Sequence, residues 1–166
     1  MAVRSVVVLP DHRLKVPSRP VGRVDDDARA LAVDLVDTMR ARTACVGLAA
    51  PQIGVPLRAF VVDVTGHRKA VTCHGEVVLF DPQIVEAAEP VLAREGCLSV
   101  PDLTGDVARA GRVVVRGLGL DGEVRTFRTD AFEARAVLHE IDHLDGLLFL
   151  DRVDSHDAVF RRKVYR

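Results

Sequence analysis

The apolar positions between residues 25 and 42 recur at intervals of three and four, which predicts an amphipathic helix. They are Ala28, Leu31, Ala32, Leu35, Val36 and Met39. Three aspartates at 25–27 precede them, and Arg40 and Arg42 follow, so the charges match the helix dipole at both ends. We expect this helix to pack against the rest of the fold through its apolar face.

A second helix is predicted over residues 131–144. Asp130 stands where a capping residue is expected, and Glu133 follows at the spacing of a capping box. Gly146 supplies the stop signal at the other end. The boundaries of this helix are therefore well specified by the sequence.

Short runs rich in β-branched and apolar residues, bounded by proline, glycine or polar positions, predict strands. They cover 5–9, 57–64, 77–80, 84–92, 112–117 and 124–128. The Asp121-Gly122 pair predicts a hairpin turn between the last two runs. Because strands and helices do not alternate regularly, the predicted fold class is α+β, with short antiparallel or mixed sheets packed around the second helix.

The length of 166 residues fits one domain over 1–166, with a charged and flexible tail at 154–166. A net charge of −1, with only a short basic run at 161–163, argues against a nucleic-acid or membrane-surface protein. No stretch approaches the roughly 20 apolar residues of a membrane span, and no signal peptide is evident, so we expect a cytoplasmic protein. The three cysteines form no C-x-x-C pair and do not indicate a disulfide framework.

The chemistry of the chain is concentrated in the second predicted helix. His139 and His143 are four residues apart, so a helix places both imidazoles on one face within reach of one metal ion. Glu140 projects beside such an ion, where a carboxylate can manage the protons of a bound water. A catalytic ion needs a third protein ligand and an open position.

Several side chains are candidates for the third ligand. They are the three cysteines, the four other histidines and the scattered carboxylates. Cys97 stands out because Gly96 beside it permits a close backbone approach and Glu95 could hold the loop in place. Cys45 and Cys73 are expected to be small buried hydrophobic residues, and the other histidines to lie on the surface.

Three motifs follow one another along the chain: GLAAPQ at 47–52, EGCLS at 95–99 and HEIDH at 139–143. In this order they resemble the motifs of the bacterial peptide deformylase family. VLPD at 8–11, the hairpin at 121–122 and LLFLDR at 147–152 extend the resemblance over about residues 5–153. The resemblance implies a deformylase-like fold and the removal of the formyl group from N-formylmethionine at the start of new polypeptides.

The resemblance also implies a metal centre. Cys97, His139 and His143 would bind one divalent ion, Fe²⁺ natively, with Zn²⁺, Ni²⁺ or Co²⁺ as alternatives in isolated protein. Water would take the fourth position. Glu140 would accept a proton from that water and later give it to the leaving amine.

The remaining roles that the resemblance implies concern the substrate. The Gln52 side-chain amide and the Leu98 backbone N–H would hold the oxyanion, and Gly47 and Gly96 would align the peptide. An N-formylmethionyl peptide is therefore the expected partner. The basic run at 161–163 leaves a transient ribosome contact as a further hypothesis.

Three charged residues are expected to support the site. Glu95 and Arg109 look like a family pair that ties down the cysteine loop. Asp142 is expected to orient a ligand histidine such as His139 through its free ring nitrogen.

Two positions depart from the family pattern, which has glycine where this chain has Cys45 and glutamine where it has Leu138. If position 45 required a positive φ, cysteine there would cost on the order of 1 kcal/mol and could shift the loop that carries Gln52. Three alternatives remain open: a deformylase for another formylated amine, an inactive binding paralogue, and a His-Glu-x-x-His protease. The protease is disfavoured because no familiar third-ligand motif follows the helix.

Overall fold

The computed structural model describes residues 2–163, which form two α-helices and six strands. In chain order these are α1 (Asp26–Arg40), β1 (Gly47–Ala49), β2 (Ala59–Val62), β3 (Val77–Cys97), β4 (Val100–Leu118), β5 (Val124–Asp130), α2 (Ala131–Leu144) and β6 (Val159–Arg161). Single 3₁₀ turns lie at His12–Lys15, Ala50–Ile53, Phe149–Asp151 and His156–Ala158. Both predicted helices are confirmed, and neither is long and apolar enough to cross a membrane.

The strands form one antiparallel sheet in the order β1-β2-β3-β4-β5, with β6 paired to the start of β4. The predicted α+β class is confirmed. The strands predicted around Pro90 are longer than expected, because Pro90 pairs with Ala110 inside a continuous β3. Residues such as Pro90 were expected to end a strand. Instead β3 continues past them with shifts in its register against β4 and with a positive φ at Glu89.

The two helices lie on opposite faces of this sheet. Side chains of β2 alternate between them: Ala59 and Val61 pack in the apolar cluster around α1, whereas Phe60 and Val62 pack in the cluster around α2. All four are buried, which explains why the sequence of this strand is continuously apolar.

Two local predictions are wrong. No strand forms at 5–9; instead Val7 N–H donates to Gln52 O at 2.7 Å and Leu9 N–H donates to Ser99 O at 2.9 Å. The capping box at α2 is also absent, because Asp130 makes no side-chain cap bond. Glu133 turns away and accepts from Thr72 Oγ1 at 2.9 Å and from the main-chain N–H of His74 at 2.8 Å.

The charged tail differs from its prediction. Residues 159–161 form β6 and pair antiparallel with 103–105 of β4. They cover the edge of β4 opposite β3, which β5 does not reach because it pairs only with 112–118. The guanidinium of Arg94 lies 3.7 Å from the centroid of the Phe160 ring. The part of the tail prediction that concerns 164–166 lies outside the described residues.

Candidate metal centre

Two elements distant in sequence bring three metal-binding side chains together. The helical register of α2 places His139 and His143 with ring centroids 5.0 Å apart. Cys97, the last residue of β3, lies with its Sγ 3.3 Å from His143 Nε2. One donor atom from each of the three residues lies within 4.8 Å of the others. A thiol and two imidazoles converging in this way fit a site for one divalent transition-metal ion.

A buried charge network supports the cysteine end of β3. Arg109 donates to Glu95 Oε1 at 2.6 Å and to Glu95 Oε2 at 3.0 Å, so the predicted pair is in bidentate contact. Burial opposes ionisation of Glu95, but the nearby imidazole of His139 and the hydrogen bonds from Arg109 outweigh it and hold the pKa of this carboxyl at about 2. Glu95 Oε2 also lies 3.7 Å from His139 Nδ1. The same carboxylate therefore contacts both Arg109 and one of the two histidines.

Asp142 occupies a different place from the one expected. It accepts hydrogen bonds from Arg109 Nη1 at 2.7 Å and from Arg152 Nη2 at 2.7 Å, and no bond joins it to either histidine in the described chain. The carboxylate nearest a ligand ring nitrogen is Glu95 instead. Asp142 is therefore linked to the cysteine loop through Arg109, which also donates to Glu95.

Glu140 is buried against the backbone of β1. A Cβ placed on Gly47 would lie 2.5 Å from Glu140 Oε1, so only glycine leaves room for this carboxyl. Burial raises the pKa of Glu140 to about 7. Its Oε2 is buried without a hydrogen-bond partner among the described residues. A carboxyl in this condition can exchange a proton near neutral pH.

The orientation of the Gln52 amide is fixed by its neighbours. Its Oε1 accepts from the main-chain N–H of Ala49 at 2.9 Å, which leaves Nε2 as the donor towards the site. Nε2 lies 3.2 Å from Ser99 Oγ and 3.6 Å from Cys97 Sγ. The 3₁₀ turn Ala50–Ile53, directly after β1, holds this side chain in place.

These groups open onto one cavity of about 300 Å³. Its lining includes Gly47, Gln52, Gly96, Cys97, Leu98, His139 and Glu140. His143 is only 1% exposed and lies behind the other two ligands. The cavity thus offers a metal ligand set, a proton-exchanging carboxyl and an amide donor to one bound molecule.

Comparison with known proteins decides the affiliation. A family model described as polypeptide deformylase matches residues 3–159. The chain belongs to this family. The resemblance drawn from the three motifs is therefore confirmed. Each motif contributes residues to the cavity lining: Gly47 and Gln52 from the first, 95–98 from the second, and His139 and Glu140 from the third.

Individual deformylases match over nearly the whole chain. A peptide deformylase of Desulforudis audaxviator is 43% identical over 164 residues, covering 98% of this chain and 99% of that protein. The peptide deformylase of Ehrlichia chaffeensis in complex with actinonin has a TM-score of 0.88 and 36% identity, covering 95% and 92% of the two chains. A Met-Ala-Ser-bound class I type b peptide deformylase from Acinetobacter baumannii has a TM-score of 0.84 and 36% identity, covering 92% and 100%.

The two departures from the deformylase pattern are accommodated without strain at either residue. The positive φ in the loop before β1 falls on Ala44, at 58°, rather than on Cys45. Cys45 Sγ lies 3.2 Å from the carbonyl oxygen of Gly47, to which its thiol donates. Leu138 packs against the apolar cluster around α2. Neither substitution removes a group from the metal centre.

Sequence reasoning missed four polar residues around the deformylase site. Ser99 holds the Gln52 amide, Arg152 pairs with Asp142, and Arg135 donates to the main-chain oxygens of Val91 and Val107. Arg162 donates to Cys97 O at 3.3 Å and also lines the cavity. Ser99 and Arg152 end the EGCLS and LLFLDR motifs, but the motifs alone assigned them no role, and Arg135 had no sequence signal. Arg162 belongs to the basic run at 161–163, which pointed to a ribosome contact on the surface.

Proposed function

We propose that this chain hydrolyses the formamide at the N-terminus of N-formylmethionyl peptides and releases formate. The observation that carries the proposal is the convergence of Cys97, His139 and His143 beside Glu140 in one cavity of a deformylase-family chain. The Met-Ala-Ser peptide bound by the Acinetobacter baumannii relative supports a peptide as the ligand class.

The donor set defines what would be held at the centre. Cys97 Sγ and one nitrogen of each histidine would bind the ion, which when bound supplies a Lewis acid that polarises a carbonyl and lowers the pKa of water. A mixed thiolate and imidazole set accepts Fe²⁺, Zn²⁺, Co²⁺ or Ni²⁺. We take Fe²⁺ as the native ion. We also propose that the protein acts in the reducing cytoplasm, where its three free cysteines would remain thiols.

Glu140 moves the proton in this proposal. Its carboxylate accepts the proton of the attacking water as the oxygen of that water bonds to the formyl carbon. When the carbon–nitrogen bond breaks, Glu140 gives the same proton to the amine of the methionyl residue. A carboxyl whose pKa is about 7 suits both directions of transfer at neutral pH.

Gln52 and Leu98 would hold the charge that develops on the formyl oxygen. The Gln52 Nε2 donor is already oriented by the bond that Oε1 accepts, so no reorganisation is needed during the reaction. The main-chain N–H of Leu98 follows the ligand Cys97 in the turn between β3 and β4. Each such donor is commonly worth about 3 kcal/mol of transition-state stabilisation. Gly47 and Gly96 lie along the lining, where the peptide would align.

A transient ribosome contact would use the basic residues at the end of the chain. This hypothesis rests on the basic run at 161–163, but Arg162 turns towards the cavity and donates to Cys97 O. Only the outer residues of that run, Arg161 and Lys163, are then available to a ribosome. Cosedimentation of the protein with ribosomes, compared with an Arg161→Ala and Lys163→Ala variant, tests this contact.

The proposed activity is tested by formate release under anaerobic conditions. Fe²⁺-loaded protein is given formyl-Met-Ala beside Glu140→Gln, which keeps the side-chain volume, and Glu86→Gln, which changes an exposed glutamate on β3. We expect formate from the wild type and from Glu86→Gln, and a rate lower by about 10² to 10⁴ for Glu140→Gln. Absence of formate from folded, metal-loaded wild type would refute the proposal, and cleavage of an internal peptide bond would indicate the protease alternative.

A further inference from the structure

Three arginines line the deformylase cavity, and they differ in how their charge is matched. Arg94 donates to Asp106 Oδ1 at 2.6 Å and stacks on Phe160. Arg135 is buried and donates hydrogen bonds to two main-chain oxygens. Its Nη1 also lies 3.5 Å from a carboxylate oxygen of Glu95. Arg162 has no carboxylate within 4.0 Å among residues 2–163. Its only side-chain hydrogen bond in that range goes to Cys97 O.

The position of Arg162 is set by the tail strand. Its main-chain N–H donates to Asp102 O at 2.9 Å, directly after β6 pairs with residues 103–105 of β4. The guanidinium lies over the backbone of Gly96, because a Cβ at that position would fall 2.5 Å from Arg162 Nη2. The absence of a side chain at Gly96 thus lets a cation reach the edge of the metal centre.

A guanidinium carries five N–H donors in a planar fork that matches a carboxylate. One donor is used on Cys97 O, so the others can bind a ligand in the cavity. Because Arg162 contacts the main chain of a metal-binding residue, it is close to where the formyl group must lie. The first residue of the substrate is methionine, and an extended peptide advances about 3.5 Å per residue, so the carboxylates that can lie nearest the formyl group are those of the second and third residues.

From this placement we infer that Arg162 is a specificity-determining residue that recognises a carboxylate on the peptide close to its formylated end. The carboxylate is either an acidic side chain at the second or third residue or the terminal carboxylate of a short peptide. The inference rests on the proposed function, since it assigns the substrate class of the same cavity.

Matched substrates measure this preference. Three pairs differ only in the carboxylate: formyl-Met-Asp-Ala-amide against its Asn analogue, formyl-Met-Ala-Asp-amide against its Asn analogue, and formyl-Met-Ala as free acid against amide. For wild type at low ionic strength we expect kcat/KM to favour the carboxylate in at least one pair by about threefold, as for a half-exposed ion pair. The pair that shows the preference identifies its source, and added salt should reduce it.

Variants separate recognition from a structural role. Arg162→Gln should abolish the ratio within the responding pair, and Arg162→Lys should retain part of it because the charge remains. The neighbouring Arg161→Gln, an exposed change on β6, should leave the ratio as in wild type. A loss of activity that is equal for both members of every pair would mean that Arg162 only supports the cysteine loop and would overturn the inference.

The failure of the inference differs from the failure of the proposed function. Formate release from all substrates without a carboxylate preference in wild type overturns the inference alone. A preference that persists in Arg162→Gln does the same. Absence of formate from every substrate overturns the deformylase activity itself, and the inference with it.

Discussion

The helices α1 and α2 lie on opposite faces of one sheet and are almost equal in length, at 15 and 14 residues, but they bury different chemistry. The buried positions of α1 are apolar except for Thr38, which accepts from the main-chain N–H of Arg4 at 2.9 Å. The buried positions of α2 include five charged or ionisable residues: Glu133, Arg135, Glu140, Asp142 and His143. The face of the sheet covered by α1 therefore holds mainly apolar contacts, whereas the face covered by α2 also holds the ionisable groups of the candidate site.

The buried charged residues of α2 require hydrogen-bond and ion-pair partners from other parts of the fold. Burying an ionised group costs several kcal/mol unless partners are provided. On the α2 face those partners come from outside the helix: Arg109 from β4, Arg152 from the segment after it, and Thr72 from the loop before β3. Glu140 is the exception, and its raised pKa is the consequence. The fully buried residues of α1 are apolar except for Thr38, so its contribution to stability comes mainly from apolar area.

Breaking the buried network should produce the largest effect. Arg109→Met leaves Glu95 and Asp142 buried with their main cation removed, and we expect the free energy of unfolding to fall by about 3 to 5 kcal/mol. Metal affinity should also fall by about 10- to 100-fold, as for loss of a group that orients ligands. Urea unfolding and metal titration measure the two quantities. Arg116→Met, an exposed change on the same strand, is the control and should alter stability by less than about 0.5 kcal/mol.

The α1 face should respond in stability alone. Leu35 is 0% exposed, and Leu35→Ala should lower the free energy of unfolding by about 3 kcal/mol. The rate per folded, metal-loaded molecule should stay at the wild-type value, because no side chain of α1 lines the catalytic cavity. Val33→Ala, at a position 45% exposed on the same helix, provides the comparison. A change in metal affinity with Leu35→Ala would contradict the division between the two faces.

The close approach of β1 to α2 should matter for rate more than for stability. Gly47→Ala places a methyl group where Glu140 Oε1 lies and must displace this carboxyl. We expect kcat/KM for formyl-Met-Ala to fall by about 100-fold, the order of loss for a misplacement of about 1 Å. Gly119→Ala is the matched control, because its added methyl group would meet only flexible side-chain atoms at 3.2 Å. Wild-type activity in Gly47→Ala would show that the carboxyl need not occupy this position.

Cys45, which contacts both the α1 cluster and the cavity, should react slowly with alkylating reagents. Cys45 packs against the α1 cluster and lines the cavity, and burial raises the pKa of its thiol to about 11. At pH 8 the thiol is therefore almost entirely protonated, and iodoacetamide should modify the exposed Cys73 much faster. Mass spectrometry of peptides from metal-loaded protein follows both sites. Equal rates would contradict the assignment of Cys45 as a thiol that stabilises the loop backbone.

The sequence was sufficient wherever the determining interactions are local. The bounds of α1 and α2 follow from apolar periodicity and from Asp25 and Gly146, and the ligand pair in α2 follows from helical spacing. Cys97 could be assigned because the glycine and the glutamate beside it are part of a recognisable motif. Its geometry relative to His143 depends on β3 reaching α2, which no local signal specifies.

The missed features depend on contacts between distant segments. Asp142 was expected to reach a histidine of its own helix, but Arg109 of β4 and Arg152 are better partners for its charge. Glu133 was expected to cap α2, but its carboxylate oxygens accept hydrogen bonds from Thr72 and His74 of a distant loop. β6 depends on an edge of β4 that β5 leaves unpaired, which the sequence of a charged tail does not reveal.

Cobalt binding tests the central claim that Cys97 from β3 and the histidines of α2 form one metal centre. Anaerobic titration with Co²⁺ should saturate at one ion per chain with a thiolate-to-cobalt charge-transfer band in the near ultraviolet. The band should disappear in Cys97→Ser and persist in Cys45→Ser and Cys73→Ser. Persistence of the band in Cys97→Ser, or its loss in Cys45→Ser, would contradict the account.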